Sequence, residues 1–309
     1  MINVMPWRKA AGTNPHRPGL QHNETRTAFL FLTPNIIGFL LFSLLPVGAT
    51  LVISLLSWDL IRDPEFVGLR NYSTLLTKDP IFREVMFNTG YYVVGVVPAS
   101  IVLSLLLALA MNNGLKGISL FRAIFFIPVI TSSVAVAMLW RWLYNTDYGL
   151  INVTLYSMGL PVIPWLSSTQ WAMPAVIIMA IWKGLGYNMV IYLAGLQGIS
   201  PTLYEAAAID GAGGWARFRD ITLPLLGPTT FFILVISIIN SFQVFDLTFI
   251  LTQGGPGIAT TTIVMYIYDQ GFRYFQMGYA AAIAWVLFII IFIVTLIQMQ
   301  FQKRWVHYD

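Results

Sequence analysis

The chain has 309 residues, of which 57% are hydrophobic and only 10% are charged, with 17 basic against 13 acidic residues. Soluble domains contain about 25% charged residues, so this composition excludes an ordinary soluble protein and indicates an integral membrane protein with several spans. The absence of cysteine excludes disulfides, thiol catalysis and thiolate metal sites.

The first 27 residues form a polar tail that precedes the first apolar run. No small-residue cleavage site follows the tail, so it is not expected to be a signal peptide, and the first span must direct its own insertion. The three histidines, His16, His22 and His307, lie in the polar ends of the chain. Solvated tail residues explain them better than a metal site does.

Six stretches of the chain are apolar enough to cross a membrane, which takes about 20 residues of helix. They cover approximately residues 28–56, 89–111, 123–144, 171–196, 225–251 and 279–299. Pro34 and Pro46 are expected to kink the first span. No repeat or linker divides the chain, so the sequence predicts an all-α polytopic protein with one membrane domain over residues 28–309.

The distribution of Lys and Arg between the loops predicts the orientation, because cytoplasmic loops carry an excess of both. The side with both termini holds ten such residues and the other side holds six, counting Arg141 at a span end. We therefore expect both termini, the tail 1–27 and the loop 197–224 in the cytoplasm.

Aromatic side chains cluster around the loop 145–170, which contains no Lys or Arg. Because Trp and Tyr collect at membrane–water interfaces, we interpret the cluster as an interfacial belt, in preference to a platform on which a sugar ring stacks. Its members are Trp140, Trp142, Tyr144, Trp165 and Trp171.

Polar side chains inside predicted spans are costly unless they face protein or water, so they are candidates for a solute pathway. The fifth span places Ser237, Asn240, Ser241 and Gln243 on one broad face. A single serine can equally well bond to its own helix. Lys183, in the fourth span, is too central to reach the interface; it could pair with Asp246, contact an anion or face a wet cavity, and we favour the wet cavity.

The stretch 198–224 is polar although apolar runs flank it, so it must lie in water or against another protein. It carries Glu205, Asp210, Arg217, Arg219 and Asp220. Ser200 is the expected N-cap of a first helix, and Pro201 suits its first position. Gly211 should end this helix, because glycine tolerates the left-handed conformation. A second helix is expected over 215–222.

Three landmarks in this stretch have a fixed spacing: Glu205-Ala206-Ala207, then Gly211 after three residues, then Ile221-Thr222-Leu223-Pro224 after nine more. The pattern resembles the cytoplasmic loop motif of bacterial ABC importer permeases at every fixed position. In that family the loop is the coupling helix that docks into the ATP-hydrolysing subunit. The alternative is an ordinary amphipathic connector.

The resemblance implies the type I ABC importer permease architecture. It also implies coupling contacts at Tyr204, Glu205, Ala206, Ala207, Asp210, Gly211, Leu223 and Pro224. Segments 66–72 and 87–89, and Gly254-Gly255-Pro256, resemble sugar-type permeases in particular.

Similarity to the maltose-importer permease implies solute contacts at or near matching positions on three spans. Those positions are Ser133, Lys183, Gly184, Tyr187, Ser237, Ser241 and Val244. The charge of Lys183 and the apolar Val244 depart from that relative, so the solute is left open among disaccharides, glucosyl-polyols and glycerol phosphates. Lys183 mildly favours an anionic group.

The chain has no Gly-Lys dipeptide and hence no phosphate-binding loop, so it is not expected to be an enzyme or to bind a cofactor. ATP and Mg²⁺ are expected on a separate subunit. The resemblance implies two ATP-binding cassette subunits, an extracytoplasmic solute-binding protein and a second permease that is related but not identical. Membrane lipid is a further partner, and nucleic acid is not expected.

The expected function is that of a permease subunit, forming half of the pathway by which an ATP-driven importer of the bacterial inner membrane takes up a sugar, glucosyl-polyol or similar polar solute. The alternatives are a secondary transporter or channel working alone, which predicts inverted repeats and a titrating group in a span, and an assembly protein without a transport role.

Overall fold

The structure is a computed structural model that describes residues 18–112 and 117–305, with side chains described over 26–112 and 117–302. The chain divides into two compact units, Met1–Val52 and Ile53–Asp309. The predicted tail 1–27 lies largely outside the residues with described side chains, and so do the three histidines.

The first unit contains, in its described part, helix α1 (Pro18–Phe39), a π-helical turn (Leu40–Leu44) and most of α2 (Leu45–Ser54). Only Leu45 separates the π turn from Pro46. Proline lacks an N–H and its ring crowds the carbonyl four residues earlier, so a wider turn lets the helix continue past it. The stretch Arg26–Ser54 is 29 residues long and apolar enough to cross a membrane.

The second unit contains the remaining helices and a two-stranded antiparallel sheet. The strands are β1 (Leu56–Ser57) and β2 (Glu65–Phe66). The helices are α3 (Arg70–Thr77), α4 (Pro80–Met111), α5 (Ile118–Ile130), α6 (Ser133–Leu143), α7 (Leu150–Ser157), α8 (Ala172–Gln197), α9 (Pro201–Ile209), α10 (Gly214–Arg217), α11 (Leu223–Leu225), α12 (Gly227–Phe242), α13 (Asp246–Leu251), α14 (Ile263–Tyr268) and α15 (Met277–Trp305), with π turns at Phe218–Thr222 and Asp269–Arg273.

Four stretches of the described chain are single helices that are long and apolar enough to cross a membrane: Arg26–Ser54, Pro80–Met111, Ala172–Gln197 and Met277–Gln302. Two helix pairs also qualify if each pair is one span: α5 with α6, bent by 99°, and Gly214–Leu225 with α12, bent by 61°. The all-α polytopic class is therefore confirmed, with six spans on this count. The predicted third span is broken between α5 and α6, and the predicted fifth span is broken between α12 and α13.

The core of the second unit forms where α8 packs against α4 and α5. Three clusters of buried apolar side chains stabilise the unit. Among their side chains that are less than 2% exposed, the largest are Tyr144 and Met179 in the first cluster, Met189, Tyr192, Leu226 and Ile233 in the second, and Leu75, Ile263 and Ile283 in the third.

The predicted aromatic belt is wrong for three of its five members, because Trp140, Tyr144 and Trp165 are at most 8% exposed. The hydroxyl of Tyr144 donates to the carbonyl of Ala175 at 3.0 Å, which anchors α6 to α8. The indole N–H of Trp165 donates to Asn152 at 3.1 Å. These rings are core residues and leave no face open for a sugar platform.

Two segments singled out in the sequence meet in the structure although they lie about 170 residues apart. The Asn88 amide donates to the carbonyls of Ile258 and Thr261, at 2.8 and 3.3 Å. The Thr89 hydroxyl accepts from the Ile263 N–H at 3.0 Å. Because unpaired backbone groups are costly when buried, these polar side chains fix the loop that follows the Gly-Gly-Pro turn against α4.

Asp79 links three helices at one end of the second unit. Its Oδ1 caps α4 by accepting from the Phe82 N–H at 3.0 Å, and its Oδ2 accepts from the hydroxyls of Tyr266 at 2.7 Å and Tyr279 at 2.5 Å. Burial opposes ionisation of this carboxyl, but the hydrogen bonds from Tyr279, Tyr266 and Phe82 outweigh it, so the pKa of Asp79 lies below its usual value.

Asp79→Asn is expected to destabilise the protein by about 1–3 kcal/mol, because hydrogen bonds to a charged acceptor are the stronger kind. A carboxyl with a lowered pKa stabilises the folded state fully above its unfolded pKa of about 4, and that contribution is lost as the pH falls through the lower folded pKa. Thermal unfolding of the purified protein between pH 7 and pH 3 should show this loss only when Asp79 is present. Asp63→Asn, at an exposed carboxyl, is the control, and identical pH profiles for wild type and Asp79→Asn would contradict the prediction.

Candidate functional site

A cavity of about 500 Å³ lies among α4, α5, α6, α8, α12 and α13. It contains seven of the eight residues predicted for the solute pathway: Ser133, Lys183, Gly184, Tyr187, Ser237, Asn240 and Ser241. Val244, the apolar departure from the maltose-importer permease, also lines it. The structure therefore brings residues from three predicted spans to one space, as a pathway requires.

Gln243 is the exception, since it lies outside the cavity lining. The predicted span 225–251 would have carried Gln243 on the same face as Asn240, but α12 ends at Phe242 and α13 begins at Asp246. The break leaves the carbonyl of Val244 without a helical partner, and the hydroxyl of Thr262 donates to it at 2.9 Å. A loop residue thus replaces the missing helical hydrogen bond.

The cavity also contains Tyr92 and Ser100 of α4, which the sequence reasoning missed. Tyr92, Val96 and Ser100 are four residues apart and so share one helix face. This spacing, which puts two polar side chains on one face of an apolar helix, is the sequence feature that could have identified them. Asn188 and Asp246 complete the polar lining.

The Lys183 ammonium donates to two backbone carbonyls, of Thr131 at 3.2 Å and of Pro128 at 3.5 Å. None of the ion pairs formed within the described residues joins it to Asp246, although both line the cavity. Lys183 therefore lies at the expected cavity, but its charge faces the end of α5.

The polar loop begins with α9, and its end has the geometry predicted for Gly211. The N–H of Ala212 donates to the carbonyl of Ala207 at 2.8 Å, and that of Gly211 to Ala208 at 3.1 Å. With Gly211 at φ +79°, these two bonds form a Schellman motif. Pro201 begins the helix, but the Ser200 hydroxyl bonds Thr202 at 2.8 Å and makes no cap, so the predicted side-chain cap is wrong.

The second predicted helix, 215–222, is present as α10 and the following π turn, and the helical path continues through α11 with Leu223 and Pro224. The hydroxyls of Tyr204 and Thr222 lie 2.9 Å apart and join the two halves of the loop. Thr222 is only 5% exposed, so this bond lies on the inner side of the loop.

The opposite side of the loop is open. Glu205, Ala206 and Asp210 are exposed, and Ala207 is half-buried. Ile209 is 86% exposed and Trp215 is 71% exposed. Ile209 and Trp215, with the exposed Glu205 and Asp210, therefore give this side of the loop a small, firmly folded surface that is open to a partner.

No group of three or more potential metal-ligating side chains lies together in the described part of the chain. The cavity lining offers hydroxyls, amides and phenol rings, which can hold a polar solute by hydrogen bonds, and it also carries one charge of each sign. It offers no arrangement of nucleophile and base.

Residues 100–307 match the family described as "binding-protein-dependent transport system inner membrane component". The chain belongs to this family. It is therefore an inner-membrane permease component, and components of this kind are not enzymes. The alternative hypothesis of a secondary transporter or channel that works alone gains no support.

Among relatives, the chain is 39% identical to the probable ABC transporter permease protein YesP of Bacillus subtilis over 93% of both chains. It is 36% identical to the arabinooligosaccharides transport system permease protein AraP of the same organism, over 91% of this chain and 90% of the relative. A crystal structure of a bacterial alginate ABC transporter, in complex with its alginate pentasaccharide-bound periplasmic protein, contains a similar chain. The TM-score is 0.82, with 26% identity over 92% of this chain and 96% of that one.

Proposed function

We propose that this permease forms half of the solute pathway of an ATP-driven importer and that the loop 197–224 couples it to a separate ATPase. The observation that carries the proposal is the pairing of a polar cavity within the helices with a firmly folded, exposed loop that continues into one cavity wall. ATP and Mg²⁺ bind to two ATP-binding cassette subunits, and this chain holds no cofactor.

The loop transmits motion through α12. Ile209, Trp215 and Glu205 contact the ATPase, and the Tyr204–Thr222 bond makes the two halves of the loop move as one body. Thr222 leads within four residues to Leu226, which is fully buried, and then into α12. Ser237, Asn240 and Ser241 of α12 line the cavity, so displacement of the loop changes its shape.

The solute is a polyhydroxylated compound of the sugar class. A cavity of about 500 Å³ lies within the usual range for small-molecule sites, and its hydroxyl and amide lining suits a sugar. A relative named for arabinooligosaccharides, and a structural neighbour whose periplasmic protein binds a pentasaccharide of the acidic polysaccharide alginate, support the sugar class in general. Since the Lys183 ammonium is engaged by carbonyls, it no longer favours an anion, and the carboxylate of Asp246 opposes one. Neutral saccharides are therefore the expected preferred solutes.

Further partners are needed because this chain forms only half of the solute pathway. A second permease, related but not identical, closes the cavity, and an extracytoplasmic solute-binding protein delivers the solute. Both termini and the coupling loop lie in the cytoplasm, and lipid surrounds the exposed apolar faces. No nucleic acid takes part.

Reconstitution of the co-purified complex in vesicles, with the binding protein outside and ATP inside, tests the proposal. We expect stoichiometric ATPase subunits and uptake that requires hydrolysis, with arabinotriose or maltotriose preferred to glycerol 3-phosphate and trigalacturonate. Uptake without an ATPase subunit would favour a secondary transporter instead, and preference for the two anions would overturn the assignment of a neutral solute.

A further inference from the structure

The break between α5 and α6, at Thr131 and Ser132, leaves backbone acceptors without backbone partners. The Thr131 N–H still donates to Ile127 at 3.2 Å, and the next helical bond, from Val136 to Ser132 at 3.0 Å, belongs to α6. In the described part of the chain, no backbone N–H donates to the carbonyls of Pro128 and Thr131. An unpaired carbonyl inside a membrane span costs several kcal/mol, so a bent span needs other donors.

Lys183 supplies these donors from the neighbouring helix. Its ammonium lies 3.2 Å from the Thr131 carbonyl and 3.5 Å from that of Pro128. These carbonyls are at the C-terminal end of α5, where the helix dipole is negative and a cation is stabilised. One side chain therefore meets two needs: the carbonyls gain a donor, and the ammonium gains acceptors within the membrane.

A second contact fixes the same two helices one turn away. Gly186 lies so close to α5 that a Cβ built on it would come within 2.1 Å of the Phe125 carbonyl oxygen. Lys183 faces Pro128, and Gly186, three residues later on α8, faces Phe125, three residues earlier on α5. This register shows that α5 and α8 run antiparallel in direct backbone contact.

We propose that Lys183 is a positioning residue that holds the α5–α6 break open and thereby sets one wall of the cavity. Val129 and Ser133, on either side of the break, both line the cavity. If the carbonyls lost their donor, the end of α5 would have to re-form helical bonds or admit water, and Ser133 would move. Lys183 then acts on the solute through the shape of the wall and not by direct contact. The inference rests on the proposed function only in treating the cavity as part of the solute pathway.

The absence of cysteine makes a direct test possible. Ser133→Cys places a reporter at the break, and Ser237→Cys places a matched reporter on the α12 wall of the same cavity. Each is combined with wild-type Lys183, Lys183→Met or Lys183→Gln in the full complex, without ATP or solute. The measurement is the rate of thiol modification by neutral 2-hydroxyethyl methanethiosulfonate, with the complex of the cysteine-free chain as background. A neutral reagent removes the effect of charge in the cavity.

Lys183→Met should change the modification rate at Ser133→Cys by about tenfold, as expected for loss of a hydrogen bond from a charged donor. The rate at Ser237→Cys should change by less than about twofold, within the scatter expected for independent sites. Lys183→Gln retains a hydrogen-bond donor but has no charge, so it should restore the wild-type modification rate at Ser133→Cys. If the positive charge itself were required, Lys183→Gln would not restore that rate.

A second outcome is that the complex with Lys183→Met fails to assemble while the complex with Lys183→Gln assembles and shows the wild-type rate of thiol modification at Ser133→Cys. That result would support the need for a hydrogen-bond donor equally well. Unchanged rates in Lys183→Met, or failure of Lys183→Gln to restore them, would overturn the proposal. Because no transport is measured, this result is independent of whether the complex is an ATP-driven importer.

Discussion

Gly211→Asp is expected to leave membrane insertion intact and to reduce ATP-dependent uptake by about a hundredfold or more. Gly211 has φ +79°, a conformation that costs about 1–2 kcal/mol for a residue with a side chain. The space around a Cβ at this position is open, so the fold should survive. The larger cost is the new carboxylate on the surface proposed to dock the ATPase, because burying an uncompensated charge costs several kcal/mol.

Two substitutions separate these effects. Gly211→Asn tolerates the left-handed conformation without adding a charge, and it should retain much of the uptake. Gly213→Asp adds the same charge two residues away at φ −70°, in the N-cap position of α10, where Asp is favoured. Pull-down of the ATPase and uptake in vesicles are the measurements. Wild-type values of both for Gly211→Asp would contradict docking through this loop.

The loop could be predicted closely from the sequence because its decisive interactions are local. The Schellman bonds join residues within five positions of one another, so Gly211 alone specifies where α9 ends. The wrong detail is also local. Ser200 occupies the N-cap position, but the hydroxyl of Thr202, two residues later, competes for its side chain.

The cavity lining could be predicted in part for a different reason. Hydrogen-bonding side chains in a span must avoid lipid, so Ser237, Asn240 and Ser241 had to face protein or water wherever the helices packed. The sequence could not show that Tyr92 and Ser100 of α4 form the facing wall. Which faces meet depends on packing between helices that are far apart in the chain.

The breaks in the third and fifth predicted spans could not be derived from local sequence, because distant residues stabilise them. At the first break, Lys183 donates to Thr131 across 52 positions, and at the second, Thr262 donates to Val244 across 18. Apolar composition predicts that a stretch enters the membrane, but it does not show where another helix supplies a donor that lets the helix bend.

Gly186→Ala is expected to destabilise the assembled complex by about 1–3 kcal/mol and to reduce uptake accordingly, since overpacking of a closely packed contact costs this much. The new Cβ would lie 2.1 Å from the carbonyl oxygen of Phe125 and 2.8 Å from its carbonyl carbon. Both are backbone atoms that cannot rotate away, so α5 and α8 must separate. Separation also lengthens the bonds from Lys183 to the end of α5, so this substitution affects the cavity wall as well as stability.

Gly90→Ala is the matched control, because Gly90 is also a helical glycine, but a Cβ there would meet no heavy atom within 4 Å apart from its chain neighbours and the nearby backbone of its own helix. Alanine has the higher helix propensity by about 1 kcal/mol, so this variant should be as stable as wild type or slightly more so. Size-exclusion chromatography of the complex after heating measures the midpoint temperature of each of the two variants. The close α5–α8 contact requires that only Gly186→Ala lowers the midpoint temperature. Equal midpoints for the two variants would contradict so close an approach of the α5 backbone to Gly186.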